Sequence, residues 1–554
     1  MLRSFVVHEV RPQYELGALW EFEPLDGEHA GKRYKMPVPG CWENHPDFAS
    51  YRGRGIYRKR INACGNIRLV FKGVSHTAVV SLDGEKIGEH YNAYTPFAIV
   101  RTNVVDAEHL LEVMVDNRFS PDSALHVPND YHTYGGISRP AAYELLSEAY
   151  ISHVHFTPFR KNGVWHGKVE AQAVNIGKER HKLTLRASLA EENFELGSCT
   201  AEPGQTLLLS QEIPFPKAIA YELDKPVLYK LNTRLFLEGG SEPSDDLIEQ
   251  VGFREVSVKG KELQFNGKKM EIKGFNRHED HPQFGCAIPL QAMQYDLDLL
   301  ADMGANAVRT SHYPNDELFL DLCDERGILV WEEAHARGLD EAAMSNPNFE
   351  RQSRDCIDEM VTNHYNHPCI FIWGLLNECA SDTEFGRAIY GRLLGRLREL
   401  DASRPTSFAS HHYKKDICLD LADVVSFNIY PGWYHDASPE EYLKELYDWV
   451  QSSTGGAGKP FLVTETGAAA IYGFRDQSRV KWSEERQAAI LEKQLNAVLT
   501  QEGVSGVFIW QFCDCRVSEE WFFGRPRGRN NKGVVDEYRR QKLACAAVKN
   551  IFKQ

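Results

Sequence analysis

The chain has 554 residues, of which 42% are hydrophobic and 25% charged, with a formal net charge of −15. That length implies two to four domains. The acidic balance argues against nucleic acid or anionic lipid as partners, because both select basic surfaces, and an anionic substrate would need local cations to hold it. The opening MLRSFVVHEV lacks the apolar core of a secretion signal. No later run approaches the ~18 apolar residues that cross a bilayer. Twelve cysteines occur without a CxxC pair or framework spacing. Free thiols in a reducing, cytoplasmic compartment are therefore expected.

In chain order, residues 1–149 read as short strands with turn stops. Ile67 to Phe71 is an apolar run, Ala78 to Leu82 leads into the hairpin signal Asp83-Gly84, and Leu110 to Val115 stops at Asp116-Asn117. This grammar predicts a jelly-roll-like β-sandwich. Alternation restarts in residues 150–258, as in Lys168 to Val174, over about the length of one immunoglobulin-like sandwich. From 259 to 554 strand-like runs alternate with amphipathic helices. Met293, Leu297 and Leu300 share a helical face before Gly304, as do Phe319 and Leu322 before Gly327. Strands are expected near 270–275, 305–309, 328–332, 369–373, 406–409, 424–428, 461–464 and 507–511. Eight such units predict a (β/α)8 barrel.

Barrel active sites lie at the C-terminal ends of the strands. The second predicted strand exits at Arg309-Thr310-Ser311-His312, the fourth runs on into Asn377-Glu378, the sixth ends at Asn428-Ile429-Tyr430, the seventh at Glu465 and the eighth at Trp510-Gln511. Most glutamates are solvated. Two that directly follow apolar strands, beside Asn, Thr and aromatic residues, form the carboxylate pair that glycoside hydrolysis requires.

Three segments carry a family resemblance. Asn306-Ala307-Val308-Arg309-Thr310-Ser311-His312-Tyr313-Pro314 resembles the first signature of glycoside hydrolase family 2. The stretch from Asn366-His367-Pro368 to Asn377-Glu378 resembles the second, and Thr464-Glu465-Thr466-Gly467 the nucleophile segment. The order sandwich, immunoglobulin-like domain, barrel is also that family's. The resemblance implies Glu378 as acid/base, Glu465 as nucleophile, retention of configuration and carboxyls about 5–5.5 Å apart. It further implies that the charge of Glu465 raises the pKa of Glu378. Asn377 would bond the sugar 2-OH, Arg309 and Tyr430 would orient the nucleophile, and a homo-oligomer without a cofactor is expected.

Asn530-x-Lys532, after the eighth strand, resembles the motif by which family 2 β-glucuronidases grip the sugar carboxylate; an ammonium and an amide supply the needed charge and hydrogen bonds. Tyr430, Trp433, Tyr434 and Trp510 resemble the aromatic walls and floor of that subgroup, and His278 and His312 line the pocket. Asp130 looks like the aspartate that reaches the far hydroxyls of the sugar. The third exit departs from the pattern: Glu332-Glu333-Ala334-His335-Ala336-Arg337 puts an arginine where the glucuronidases have a small apolar stretch. Arg337 is either a solvated loop residue or a contact to the carboxylate or O4. The expectation is thus an exo-β-hexuronidase acting on small or oligomeric uronides, with glucuronide against galacturonide left open. The short segment from Leu339 to Asn348 predicts an open mouth. His278-Glu279-Asp280-His281 lacks the HExxH spacing of a zinc site, so no metal is expected. The alternatives are a β-galactosidase of the same family and a non-catalytic sugar-binding protein. The first gives Asn530 and Lys532 no purpose, and the second would lack one carboxylate.

Overall fold

The computed structural model describes residues 1–554. The first unit is an antiparallel sheet system built on two long strands, Arg54–Phe71 and Phe97–Asp116, paired along their length and flanked by Thr77–Leu82 and Ala141–Leu146. Period-two alternation explains its core: Ala78, Val80 and Leu82 turn inward while their neighbours face out. The second unit packs a three-stranded sheet (Ala149–Lys161, Val164–Asn175, Thr206–Phe215) on a four-stranded one (His181–Leu189, Glu192–Ala201, Tyr229–Leu237, Asp245–Val251) around Ala171, Leu183, Leu185 and Phe253.

The remainder is a closed parallel barrel of eight strands: β1 (Ile272–Arg277), β2 (Ala307–Thr310), β3 (Leu329–Glu333), β4 (Ile370–Asn377), β5 (Thr406–Ser410), β6 (Val425–Asn428), β7 (Phe461–Thr466) and β8 (Val504–Ile509). All eight predicted strands are present. β4 runs four residues further than expected and ends at Asn377, whereas β8 ends at Ile509 and leaves Trp510 and Gln511 just off the barrel.

One element was not anticipated. A small antiparallel meander (Val256–Lys259, Glu262–Phe265, Lys268–Lys269) precedes the barrel. Its Leu263 and Phe265 join Met270, Trp331, Phe371, Leu462 and Phe508, so it plugs the N-terminal end of the barrel.

The units are stitched together by charge. Arg3 pairs with Asp321 and Glu317 of the barrel, and the backbone N–H groups of Glu9, Val10 and Arg11 donate to Asp246. Arg11 binds Asp245 and Glu144, one from each sandwich. Two loops of the first sandwich lie against the barrel mouth: in the turn before Phe97, Tyr94 stacks on Tyr313 with centroids 3.8 Å apart, and in the loop before Ala141, Arg139 Nη2 donates to Glu279 at 2.8 Å. No helix is long and apolar enough to cross a membrane.

Candidate active site

Adjacent residues on a strand point to opposite faces, so Glu332-Glu333 at the end of β3 must split. Glu332 turns outward to His364 (2.7 Å) and Glu333 inward to Arg309. Arg309 on β2 is fully buried. Its guanidinium donates to Glu333 (2.8 and 2.9 Å), to Asn276 on β1 (2.7 Å), to Asn377 on β4 (2.8 Å) and to Glu465 on β7 (3.0 Å). One side chain thus ties five strand ends into a rigid floor. Tyr430 donates its hydroxyl to the other oxygen of Glu465.

Glu378 follows β4 directly and has a left-handed backbone, φ 52°. Non-glycine residues hold that conformation at a cost of about 1–3 kcal/mol, and only where their surroundings enforce it. Here its N–H donates to the Ala409 carbonyl at 2.9 Å. Asn428 at the end of β6 donates to Glu378 (2.9 Å) and to Asn377 (3.0 Å). Asn428 is also paired in register with Glu465. The two predicted carboxylates therefore share one cluster, bridged by Asn428.

The electrostatics of the free site differ from the expectation of a raised acid. Burial is the largest single influence and pushes Glu378 up, but the Arg337 guanidinium 3.5 Å away, His411, Asn428 and Arg309 together outweigh it and hold the carboxyl below its ordinary value. Burial and the charge of Glu378 push Glu465 up to about 7, against Arg309 and Tyr430. Burial likewise lifts Glu333 to about 7 against Arg309. Three carboxylates face two guanidiniums, so the cluster retains a proton near neutrality, shared between coupled groups.

Arg337 is no solvated loop residue. Its side chain is only 18% exposed, bonds Asn129 of the first sandwich at 3.1 Å, and lies 5.4 Å from the Trp521 ring. His312 stacks on Trp510 (4.9 Å, 14°) and His278 meets the same ring edge-on at 5.4 Å, so the three residues lie together. Asn377 Nδ2 and His278 Nε2 are among the buried polar atoms here that have no protein partner. Unpaired buried polar groups of this kind suit a polar ligand.

Gln511, just past β8, brings in the Asn530–Lys532 segment. Its N–H donates to the Lys532 carbonyl (3.1 Å) and its amide to that of Asn530 (3.2 Å). Lys532 Nζ donates to the Tyr434 hydroxyl at 2.7 Å and lies 5.3 Å from the Tyr430 ring, above Glu465. Trp433 packs edge-on against Trp482 at the rim, 5.5 Å away. Asp130 is buried beside Asn530, which donates to it at 3.1 Å, but it is not a free acceptor: Arg525 clamps both its oxygens. The sequence assigns no role to Arg525, Asn428, Glu333 or Asn276. The alternation rule could have found Glu333; the others act through residues 33 to 395 positions away.

No catalytic metal set emerges. In His278-Glu279-Asp280-His281 the side chains diverge, Glu279 to Arg139 and Asp280 to Tyr134. Asp324, His367 and Cys369 lie together, but His367 and the Cys369 N–H already bond Asp324, and the Arg3 guanidinium alongside opposes a cation.

Comparison with known proteins agrees with this geometry. The model of the TIM barrel domain of family 2 glycosyl hydrolases matches residues 256–553. The crystal structure of a GH2 β-galacturonidase from Eisenbergiella tayi bound to galacturonate is 54% identical, covers 100% of this chain and 99% of its own, and superposes with a TM-score of 0.98. The curated β-glucuronidase of Sus scrofa is 28% identical over 95% of this chain and 85% of its own length. A Bifidobacterium dentium β-glucuronidase complexed with coumarin-3-O-glucuronide, 24% identical over 98% of this chain and 97% of its own with a TM-score of 0.86, shares the fold. The chain belongs to glycoside hydrolase family 2 and is a glycoside hydrolase.

Proposed function

We propose that this hydrolase is a retaining exo-β-hexuronidase that prefers β-galacturonides, with Glu465 as nucleophile and Glu378 as acid/base. Glu465 attacks the anomeric carbon while Glu378 protonates the leaving oxygen; a covalent glycosyl-enzyme forms, and Glu378 then deprotonates the water that releases the sugar. The Asn377 amide, its oxygen already engaged by Arg309 and Asn428, has its N–H groups free for the 2-OH. The reactive microstate needs the shared proton on Glu378. A uronate carboxylate entering beside Arg337 offsets that charge, and the donors of Arg309 and Tyr430 stabilise an ionised Glu465.

The observation that carries the uronide reading is local charge. In a chain of net charge −15, the ammonium of Lys532 and the guanidiniums of Arg337 and Arg525 converge on one pocket beside Asn530. A neutral sugar has no use for that arrangement. The relative at 54% identity, solved with galacturonate, favours the axial O4 epimer. Arg337 is the group we assign to that discrimination, or to the common carboxylate.

The curated glucuronidases support a second reading, β-glucuronides as preferred substrates. Rates on matched p-nitrophenyl β-galacturonide, β-glucuronide and β-galactoside separate the two. The galacturonide is expected to be fastest and the galactoside slowest. A faster glucuronide selects the second reading, and a galactoside faster than both overturns the uronide assignment.

A further inference from the structure

Cys41 and Cys286 lie in different units of the chain, yet their sulfurs are 3.5 Å apart. Both belong to rigid backbone. Cys41 precedes the turn Trp42–Asn44, and the flanking Gly40 and Trp42 N–H groups donate to Ile137 and Gly135 at 2.8 and 3.0 Å. Cys286 follows the tight loop after β1, in which His281 and Gly285 exchange backbone bonds of 3.0 and 2.8 Å. The same loop is docked on the sandwich by Tyr134 to Asp280 and Arg139 to Glu279, each 2.8 Å. Gly285 is pressed so closely there that an added Cβ would come within 2.8 Å of the Cys41 sulfur.

The two thiols therefore meet at a seam that is already closed. The sulfurs are 3.5 Å apart and a bond is about 2.05 Å, so the gap left to close is small against the size of either unit. The seam matters because the candidate pocket is assembled across it. The sandwich supplies Asn129 and Asp130, the barrel supplies Arg337, Arg525 and Asn530, and the loop ending at Cys286 begins with His278.

We propose that Cys41 and Cys286 are a redox-modification site: a thiol pair that low-molecular-weight disulfides convert into a reversible interdomain clamp. Cys286, half-buried, is the accessible thiol, whereas Cys41 is buried and its thiol is pushed up by that burial and by Cys286. The Cys286 thiolate attacks one sulfur of glutathione disulfide, breaks its S–S bond and expels one glutathione thiolate. Cys41, losing its proton to solvent, then attacks the Cys286 sulfur of the mixed disulfide and expels the second glutathione. Two protein thiols are oxidised, one glutathione disulfide is reduced to two glutathiones, and two protons leave the protein thiols for the two glutathione thiolates. Because the bridge would span 245 residues of chain across a seam that is already packed, it constrains the unfolded state and leaves the pocket in place.

The full-length protein is incubated with glutathione disulfide and analysed by intact mass, peptide mapping and heat inactivation. The expected result is a loss of two hydrogens, a peptide joining Cys41 to Cys286, reversal by dithiothreitol, unchanged kcat on an activated aryl glycoside, and inactivation slowed by about tenfold. Cys286→Ser, which alters the accessible partner and leaves the buried one intact, is expected to abolish both the link and the slowing. No mass change, a persistent glutathione adduct, or a link between other cysteines overturns the site. A Cys41–Cys286 link without slower inactivation overturns the clamp.

Discussion

At the scale of single residues, Arg337 determines where the shared proton rests. It lies 3.5 Å from Glu378 and holds that carboxyl down against the effect of burial. Turnover by the proposed mechanism needs the shared proton on Glu378, so the basic limb of the kcat/KM profile reports the loss of that proton from the coupled cluster. Arg337→Ala removes the largest restraint, the folded pKa of Glu378 rises, and the basic limb is expected to move to higher pH. An unmoved limb would mean that Arg337 acts on the sugar alone. The pair itself is tested separately. Glu465→Ala is expected to lose activity on the order of 10⁴-fold or more even on activated aryl glycosides, as when one member of a catalytic unit is removed. Glu378→Ala is expected to retain the glycosylation step for leaving groups that need no proton, with deglycosylation rescued by azide. Wild-type-like activity in the Glu465 variant would sink the assignment.

At the scale of elements, β8 and the hairpin after it build the part of the mouth to which we assign the sugar carboxylate. Cys515–Arg516 pairs with Arg529–Asn530, and Gln511 fixes the returning strand, so Lys532 arrives over Tyr430 and Tyr434. Losing one charge-assisted contact to a buried anion costs about 1.5–3 kcal/mol, roughly ten- to a hundredfold. Lys532→Ala is expected to lower kcat/KM on uronides by that factor and to leave the neutral galactoside nearly unchanged; equal losses would make the lysine structural. These elements also mark how far the sequence can be read. The barrel strands were legible because each is a short apolar run with a polar exit, and β4 and β7 carried Glu378 and Glu465 to their ends. The meander at 256–269 was not, since its strands have four residues or fewer and carry Lys on exposed positions. Arg337 was legible only as a choice between two fates. Asn129 and Trp521, which decide between them, lie 208 and 184 residues away in the chain.

At the scale of the whole molecule, two opposed sets of buried titratable groups set the pH dependence of stability. The seam between sandwich and barrel is lined with histidines that burial keeps neutral. His76 stacks on His126 (4.5 Å), His126 meets His335 (4.4 Å), and Tyr131 links His335 to the neighbourhood of His278. Burial lowers His76 to about 4, His278 and His335 to about 3, and His126, His132 and His312 well below the ordinary value. Below the ordinary histidine pKa the unfolded chain binds protons that the folded one refuses, so these groups cost stability as pH falls through about 6.5. The raised carboxyls act in the opposite direction. Burial lifts Glu43 to about 8 and Glu333, Glu465 and Asp514 to about 7, so the folded state keeps protons that the unfolded state releases, and stability falls as pH rises toward those values. The histidine cost acts as pH falls below the ordinary histidine value and the carboxyl cost as pH rises toward the raised values, so the thermal midpoint of the reduced, unliganded protein is expected to peak between these two limbs. His126→Phe preserves a ring to stack on His76 and removes one refused proton, so its midpoint should fall less steeply on the acid side and peak at lower pH. An acid slope identical to wild type in that variant would locate the sensitivity away from the seam.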